Sequence, residues 1–132
     1  MRYHTRKLVK SEDLNGRNTL FGGRLLEWID EECYIYSCCQ LGTTHIVTKY
    51  MSEINFINPG FLGDVIEIGV ETVNIGRTSL TLHSSVRNKM SKDILIDIET
   101  IVFVALDEEG RPSPHRLSGY AGKKEFIKQL VD

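Results

Sequence analysis

The run Gly22-Gly23-Arg24-Leu25-Leu26-Glu27-Trp28-Ile29-Asp30-Glu31-Glu32-Cys33-Tyr34-Ile35-Tyr36-Ser37-Cys38-Cys39-Gln40 decides how the rest of the chain must fold. Its apolar spacing is helical. Leu26, Ile29, Cys33, Ser37 and Gln40 share one stripe at about 3.6 residues per turn, with Asp30 roughly 40° to its side. Leu25, Trp28 and Ile35 are apolar but lie off that stripe, so the helix is expected to be covered on more than one face. In a short chain the second cover is expected to be a partner subunit. Paired glycines at the start, Gly22 and Gly23, leave backbone N–H groups uncovered, a donor array suited to a carbonyl or an oxyanion. Asp30, about two turns on, is a candidate base near that point. Two plainer readings stay open, in which the glycines form only a tight turn and Asp30 is a surface residue.

Outward from the helix the pattern is strand. Leu8 and Val9 end a short first strand, and Ser11 to Thr19 form a polar loop. His45 to Ile57 reads as one long strand ending at Asn58-Pro59-Gly60. In Val65 to Val73, Ile66, Ile68, Val70 and Thr72 alternate with Glu67, Gly69 and Glu71. After the turn Asn74-Ile75-Gly76-Arg77, Leu80, Leu82, Ser84 and Val86 alternate with Thr81, His83, Ser85 and Arg87. The even positions Ile94, Ile96, Ile98, Val102 and Val104 carry the β-branched residues of the last strand. A weakly amphipathic helix with Phe126, Ile127, Leu130 and Val131 closes the chain. Short connections between the late strands imply antiparallel pairing. The expected architecture is α+β, a five-stranded antiparallel sheet on one long helix, with residues 1–132 forming one domain.

Composition narrows the function classes. A net charge of −2, with no basic run, argues against nucleic-acid binding. No apolar run approaches the roughly 20 residues of a membrane span, and the basic N-terminus leads into no signal core, so a cytoplasmic location is expected. Cys33, Cys38 and Cys39 sit on one helix with neither disulfide nor metal spacing, and they read as small buried hydrophobes. His4, His45, His83 and His115 are scattered, so no metal or cofactor is expected.

Several stretches together resemble one family. They are Asn15, Phe21-Gly22-Gly23, Leu26-Glu27-Trp28-Ile29-Asp30, the bend from Ile54-Asn55-Phe56-Ile57-Asn58-Pro59 to Gly63-Asp64, Ile75-Gly76-Arg77-Thr78-Ser79-Leu80, and Val104-Ala105-Leu106-Asp107. In this order and spacing the chain resembles the hotdog-fold acyl-CoA thioesterases of the YciA and brain acyl-CoA hydrolase group, over about residues 5 to 116. One departure is Asn18, where the family pattern often has glycine; asparagine tolerates the left-handed backbone better than most residues. The resemblance implies a curled sheet wrapped around the central helix. It also implies hydrolysis of an acyl-CoA thioester at a subunit interface, within a homodimer that assembles further as a trimer of dimers. It gives Asp30 as general base or nucleophile, Asn15 of the facing protomer as orienter of water or carbonyl, and the Gly23 N–H as the group polarising the thioester oxygen.

Gly22 and the turn Gly76-Arg77-Thr78-Ser79 are the candidate contacts to CoA, since a turn offering N–H groups, hydroxyls and a guanidinium suits a phosphate. As a plain β-turn it would look identical. Arg111, His115 and Arg116 are a second basic candidate, although a basic loop needs no ligand. A serine hydrolase is disfavoured by the lack of a Gly-x-Ser-x-Gly elbow. A hotdog hydratase needs an Asp/His pair near the helix, where only His4 is at hand. A non-catalytic acyl-CoA-binding module is the alternative, and it would need neither Asp30 nor Asn15.

Overall fold

The computed structural model describes residues 1–127. Strand β1 (Arg2–Leu8) leads through a short 3-10 turn (Ser11–Asp13) to helix α1 (Gly22–Leu41). Then come β2 (Ile46–Met51), β3 (Asn55–Phe56), β4 (Val65–Ile75), β5 (Ser79–Asn88), β6 (Ile94–Ala105) and a four-residue helix α2 (Lys124–Ile127). The sheet runs β1-β4-β5-β6-β2, with β3 also paired to β6 and every pairing antiparallel. The expected α+β arrangement is therefore present, with six strands in place of five.

The sixth strand is half of the expected run from His45 to Ile57. Met51 pairs with Ile101 and, beyond the gap, Asn55 pairs with Asp97, so the register carries across unbroken. Within the gap Ser52 replaces part of the ladder with its side chain. Its N–H donates to the Thr100 carbonyl at 2.8 Å, while its Oγ accepts from the Thr100 N–H at 3.1 Å. Beyond the gap Phe56 and Ile57 are exposed.

Helix α1 buries Leu25, Ile29, Cys33, Ser37 and Leu41, an every-fourth-residue row, together with Gln40. Leu25 takes the place expected for Leu26, which is half-buried. An every-fourth row is the ridge that a helix offers to a packed neighbour. Against it the sheet sets Ile66, Ile68, Leu80, Leu82, Val86, Ile96, Ile98, Ile101 and Phe103, each almost wholly excluded from solvent. Burial of such a side chain contributes about 1.5–3 kcal/mol. In β6 the inward phase changes from even to odd positions between Ile98 and Ile101, so Val102 is only half-buried. A bulge opposite Leu82 to Ser84 supplies the extra residue.

The helix ends at Gly42, whose φ of 68° is left-handed and whose N–H donates to the Cys38 carbonyl at 2.8 Å. Arg116 completes the cap, with Nε donating to Gln40 O at 2.9 Å and Nη2 to Cys39 O at 3.1 Å. His115 is buried, its Nε2 within 2.9 Å of Ser79 O. Of the three residues offered above as a second basic candidate, His115 and Arg116 are thus engaged in closing the fold, while Arg111 is exposed. The cysteine expectation holds for Cys33, but Cys38 is half-buried and Cys39 exposed, because adjacent helical residues point about 100° apart. Of the C-terminal apolar residues, Phe126 and Ile127 pack against the core, while Leu130 and Val131 lie outside the described residues.

The face of the sheet away from α1 carries a charged ladder set by the β4–β5 register. Glu67 pairs with Arg87, and Glu71 with His83. His83 Nδ1 lies 3.0 Å from Glu71 Oε1 and Nε2 2.8 Å from Asp97 Oδ1, joining β4, β5 and β6. Burial pulls its pKa down, but hydrogen bonds and charge from Glu71 and Asp97 outweigh this and hold it above the ordinary histidine value. A raised value means that the contribution to stability is full below about pH 6.5 and is lost as pH rises through the folded pKa. His83→Gln is expected to cost about 1–2 kcal/mol at pH 6 and clearly less at pH 9. Urea unfolding of both proteins at the two pH values measures the difference, and an equal cost at both would contradict the charged pairing.

Candidate active site

The loop before α1 is tied from within by Asn15. Its N–H donates to Thr19 O at 2.8 Å, and its Oδ1 accepts the N–H groups of Arg17 at 2.9 Å and Thr19 at 3.2 Å. Asn18 completes the loop in the left-handed region, φ 61°, so asparagine stands in for the glycine common in the resembling family. One hydrogen of Asn15 Nδ2 goes to Thr19 Oγ1 at 3.0 Å. An amide nitrogen carries two, and no acceptor for the second is found among the described residues. The Asn15 side chain is thus tied to its own loop through both its oxygen and its nitrogen.

Helix α1 begins without a side-chain cap at Phe21, and its first internal bond runs from Leu25 N to Phe21 O at 3.1 Å. The N–H groups of Gly22, Gly23 and Arg24 precede that bond and have no acceptor within the helix. The glycine at 22 has a second cause. A Cβ there would sit 3.1 Å from the ring of Phe56, so the aromatic packs directly on the helix start.

Asn15 and Gly22 meet on the wall of one cavity of about 400 Å³. Leu20, Leu25 and Leu95 form its buried side, and Phe56 and Ile57 its exposed side. Gly23, next along the helix, is exposed and is not among the lining residues.

Asp30 lies elsewhere in the same chain. Eight residues of helix put it about 12 Å beyond Gly22, half-buried, with its Oδ1 accepting from Thr48 Oγ1 at 2.8 Å. Thr48 belongs to β2, the end strand of the sheet order. Along this edge Val47, Tyr50, Phe56 and Ile57 are each 42–57% exposed. The carboxylate thus stands beside an apolar strand edge, oriented by a hydroxyl that the sequence alone did not single out. A threonine among exposed apolar residues of an edge strand was the available signal.

The turn Gly76 to Ser79 joins β4 to β5 at the other end of the sheet. Gly76 N donates to Ser79 O at 3.0 Å, Thr78 O accepts from Ala105 N at 2.8 Å, and the Arg77 side chain is exposed. Ser79 pairs with Val104, nine residues along β6 from the cavity residue Leu95, or about 30 Å of strand. One protomer therefore joins Asn15 to Gly22 but brings neither Asp30 nor this turn to them.

Cys33 is no rival nucleophile. Burial pushes its thiol pKa up to about 12, against a smaller opposing effect of the Ser84 hydrogen bond.

Residues 17–94 match the family model of the thioesterase superfamily, and the chain belongs to that superfamily. An uncharacterized acyl-CoA thioester hydrolase of Bacillus subtilis, YkhA, is 30% identical over 116 residues, covering 82% of this chain and 67% of that protein. Among solved structures, an acyl-CoA hydrolase from Staphylococcus aureus in complex with butyryl coenzyme A, coenzyme A and coenzyme A disulfide is 28% identical, with a TM-score of 0.75. It is covered over 66% of its length by 84% of this chain. That hydrolase is also known as an asparagine-to-alanine and an aspartate-to-alanine variant, at positions as far apart as Asn15 and Asp30 (25% identity and TM-scores of 0.73 and 0.71; 84% of this chain on 68% and 69% of those). A hexameric thioesterase from Yersinia pestis shares the fold, with a TM-score of 0.79 at 24% identity over 86% of this chain and 94% of that one. The sheet packed on a central helix is thus the hotdog fold.

Proposed function

We propose that this protein hydrolyses acyl-CoA thioesters to a carboxylic acid and CoA, at sites completed between two copies of the chain. One observation carries the reading. The side-chain donor of Asn15 and the uncapped helix start at Gly22 share one cavity, while the oriented carboxylate of Asp30 stands on an apolar edge that a second copy would cover. A two-fold contact along β2 would bring Asp30 of the partner subunit toward that cavity and the reverse.

In the proposed reaction the thioester oxygen accepts hydrogen bonds from the helix-start N–H groups, Gly23 among them, and Asn15 orients the carbonyl or the water. Asp30 takes a proton from water as the oxygen attacks the carbonyl carbon, and the C=O pair moves onto the oxyanion. Collapse of the tetrahedral intermediate breaks the C–S bond. The CoA thiolate leaves and takes up the proton held by Asp30. A thioester needs little more than this, because its carbonyl has weak resonance stabilisation and its leaving group is good.

Gly76, Arg77, Thr78 and Ser79 are proposed to meet the phosphates of CoA. The strand length separating this turn from the cavity of its own protomer means that it would serve a site in another subunit. A dimer is the smallest assembly this requires, and a trimer of dimers satisfies it as well.

A thiol-trapping assay tests the activity, with thiol release expected from at least one class of acyl-CoA. No release from short, medium, long or aromatic acyl groups would favour an acyl-CoA-binding module. Light scattering is expected to give at least twice the 15.0 kDa chain mass, and a monomer at assay concentration would contradict the shared site.

A further inference from the structure

We infer that Asp13 and Arg24 form a positioning pair for the proposed reaction, holding the loop that carries Asn15 in register with the uncapped start of α1. The inference rests on the proposed hydrolase reading. Arg24 is the unexpected residue. It stands in the first turn of α1, where the helix dipole disfavours a cation and favours a carboxylate, yet that turn carries no acidic residue. Its counter-charge comes from outside the helix. Arg24 Nε lies 3.4 Å from Asp13 Oδ1, while Nη1 lies 3.6 Å from Glu27 Oε1 along the helix. The two partners differ in setting. The Asp13 side chain is 5% exposed and that of Glu27 64%, so water screens the second contact far more than the first.

Asp13 also closes the neck of the loop. Its carbonyl accepts from Phe21 N at 2.9 Å, its Oδ2 accepts from Lys10 N at 2.9 Å, and Leu14 and Leu20 bridge just beyond it. Asn15 follows two residues later, and Phe21 is the cap residue directly before Gly22. One buried residue thus joins the stem of the loop at Lys10, its neck at Phe21 and, through Arg24, the first helical turn. The placement of the Asn15 side chain against the N–H groups of Gly22 and Gly23 depends on this joint, although neither Asp13 nor Arg24 touches substrate in the proposed reaction. A misplacement on the order of 1 Å costs about a hundredfold in rate.

The test is steady-state kinetics on the acyl-CoA that the unmodified protein hydrolyses best. Asp13→Asn keeps an oxygen for Lys10 N but loses the charge opposite Arg24, and Arg24→Gln loses the other half. Each is expected to lower kcat at least about tenfold with KM within about twofold of the parent, because geometry at the reacting carbonyl is lost and the grip on CoA is not. The double variant should be no slower than either single one, since both break the same pair. Glu27→Gln, which removes the exposed partner of Arg24, should keep parental kcat. Parental kcat in either folded single variant, losses that multiply in the double variant, or an equal loss in Glu27→Gln overturns the pair and leaves the hydrolase reading standing. A raised KM at unchanged kcat would make Arg24 a substrate contact and overturns it as well. No hydrolysis by the unmodified protein removes both. If Asp13→Asn does not fold, Arg24→Gln, at a side chain 37% exposed, decides alone.

Discussion

Asp30→Ala should give a folded protein whose acyl-CoA turnover is at least about a hundredfold below that of the parent, the loss expected when a general base is removed. The folded state should tolerate the change. Asp30 is half-buried on the outer flank of α1, away from the buried row, and alanine is the better helix former. What goes is one hydrogen bond from Thr48, about 1 kcal/mol. A melting temperature within a few degrees of the parent, together with collapsed kcat, separates a chemical role from a structural one. Thr48→Val should lower kcat to a smaller extent, since the carboxylate would remain but lose its orientation. Near-parental turnover in a folded Asp30→Ala protein would take Asp30 out of the reaction.

Glu67→Ala should be the most damaging of the single changes to stability considered for this fold, at about 3 kcal/mol. The Glu67 side chain is 3% exposed. Its Oε1 accepts from Arg87 Nε at 2.8 Å and lies 3.5 Å from Lys92 Nζ, with Arg6 Nε 3.7 Å from Oε2. Removing the carboxylate would leave three cations around an unfilled site, and breaking a buried pair on one side costs about 3–5 kcal/mol. Exposure of Arg6 and Lys92 to water places the effect at the low end. Burial alone would raise the carboxyl pKa, but the Arg87 hydrogen bond and the charges of Lys92 and Arg87 outweigh it and hold the group below the usual glutamate range. A lowered value means a contribution present above about pH 4.3 and lost as pH falls through the folded pKa. Urea unfolding should therefore show the full difference between parent and Glu67→Ala at pH 7 and a shrinking one in acid. A difference constant down to pH 3 would mean that the residue acts by packing alone.

Local pattern carried most of the architecture. The glycine pair and the 3.6-residue stripe located α1, and strict alternation located β4 and β5, whose inward rows Ile66, Ile68, Val70 and Leu80, Leu82, Ser84, Val86 are buried as expected. The misses in the strands share a physical origin in pairing between strands, which no local window contains. The gap after Met51 depends on Ser52 meeting Thr100, and the change of phase in β6 depends on a bulge against β5. Likewise the alternation placed Glu67 and Glu71 opposite the apolar row but could not name Arg87 and His83 as their partners, which the register sets. At the candidate site, Asn15 and Gly22 were legible because loop and helix start are neighbours in sequence. The base of the cavity was not, because Leu95 comes from a strand more than seventy residues along the chain from Gly22.

In the proposed reaction a working site takes Asp30 from one protomer and Asn15 from its partner, and complementation is the direct test. Asp30→Ala and Asn15→Ala proteins, each expected to be nearly inactive alone, are co-expressed in equal amounts. Half of the dimers are then mixed, and a shared site leaves one of the two sites in each with both residues intact. Recovery of about a quarter of parental turnover is expected. No recovery in mixed dimers, verified by differential tags, would mean that the two residues do not meet across the two-fold contact.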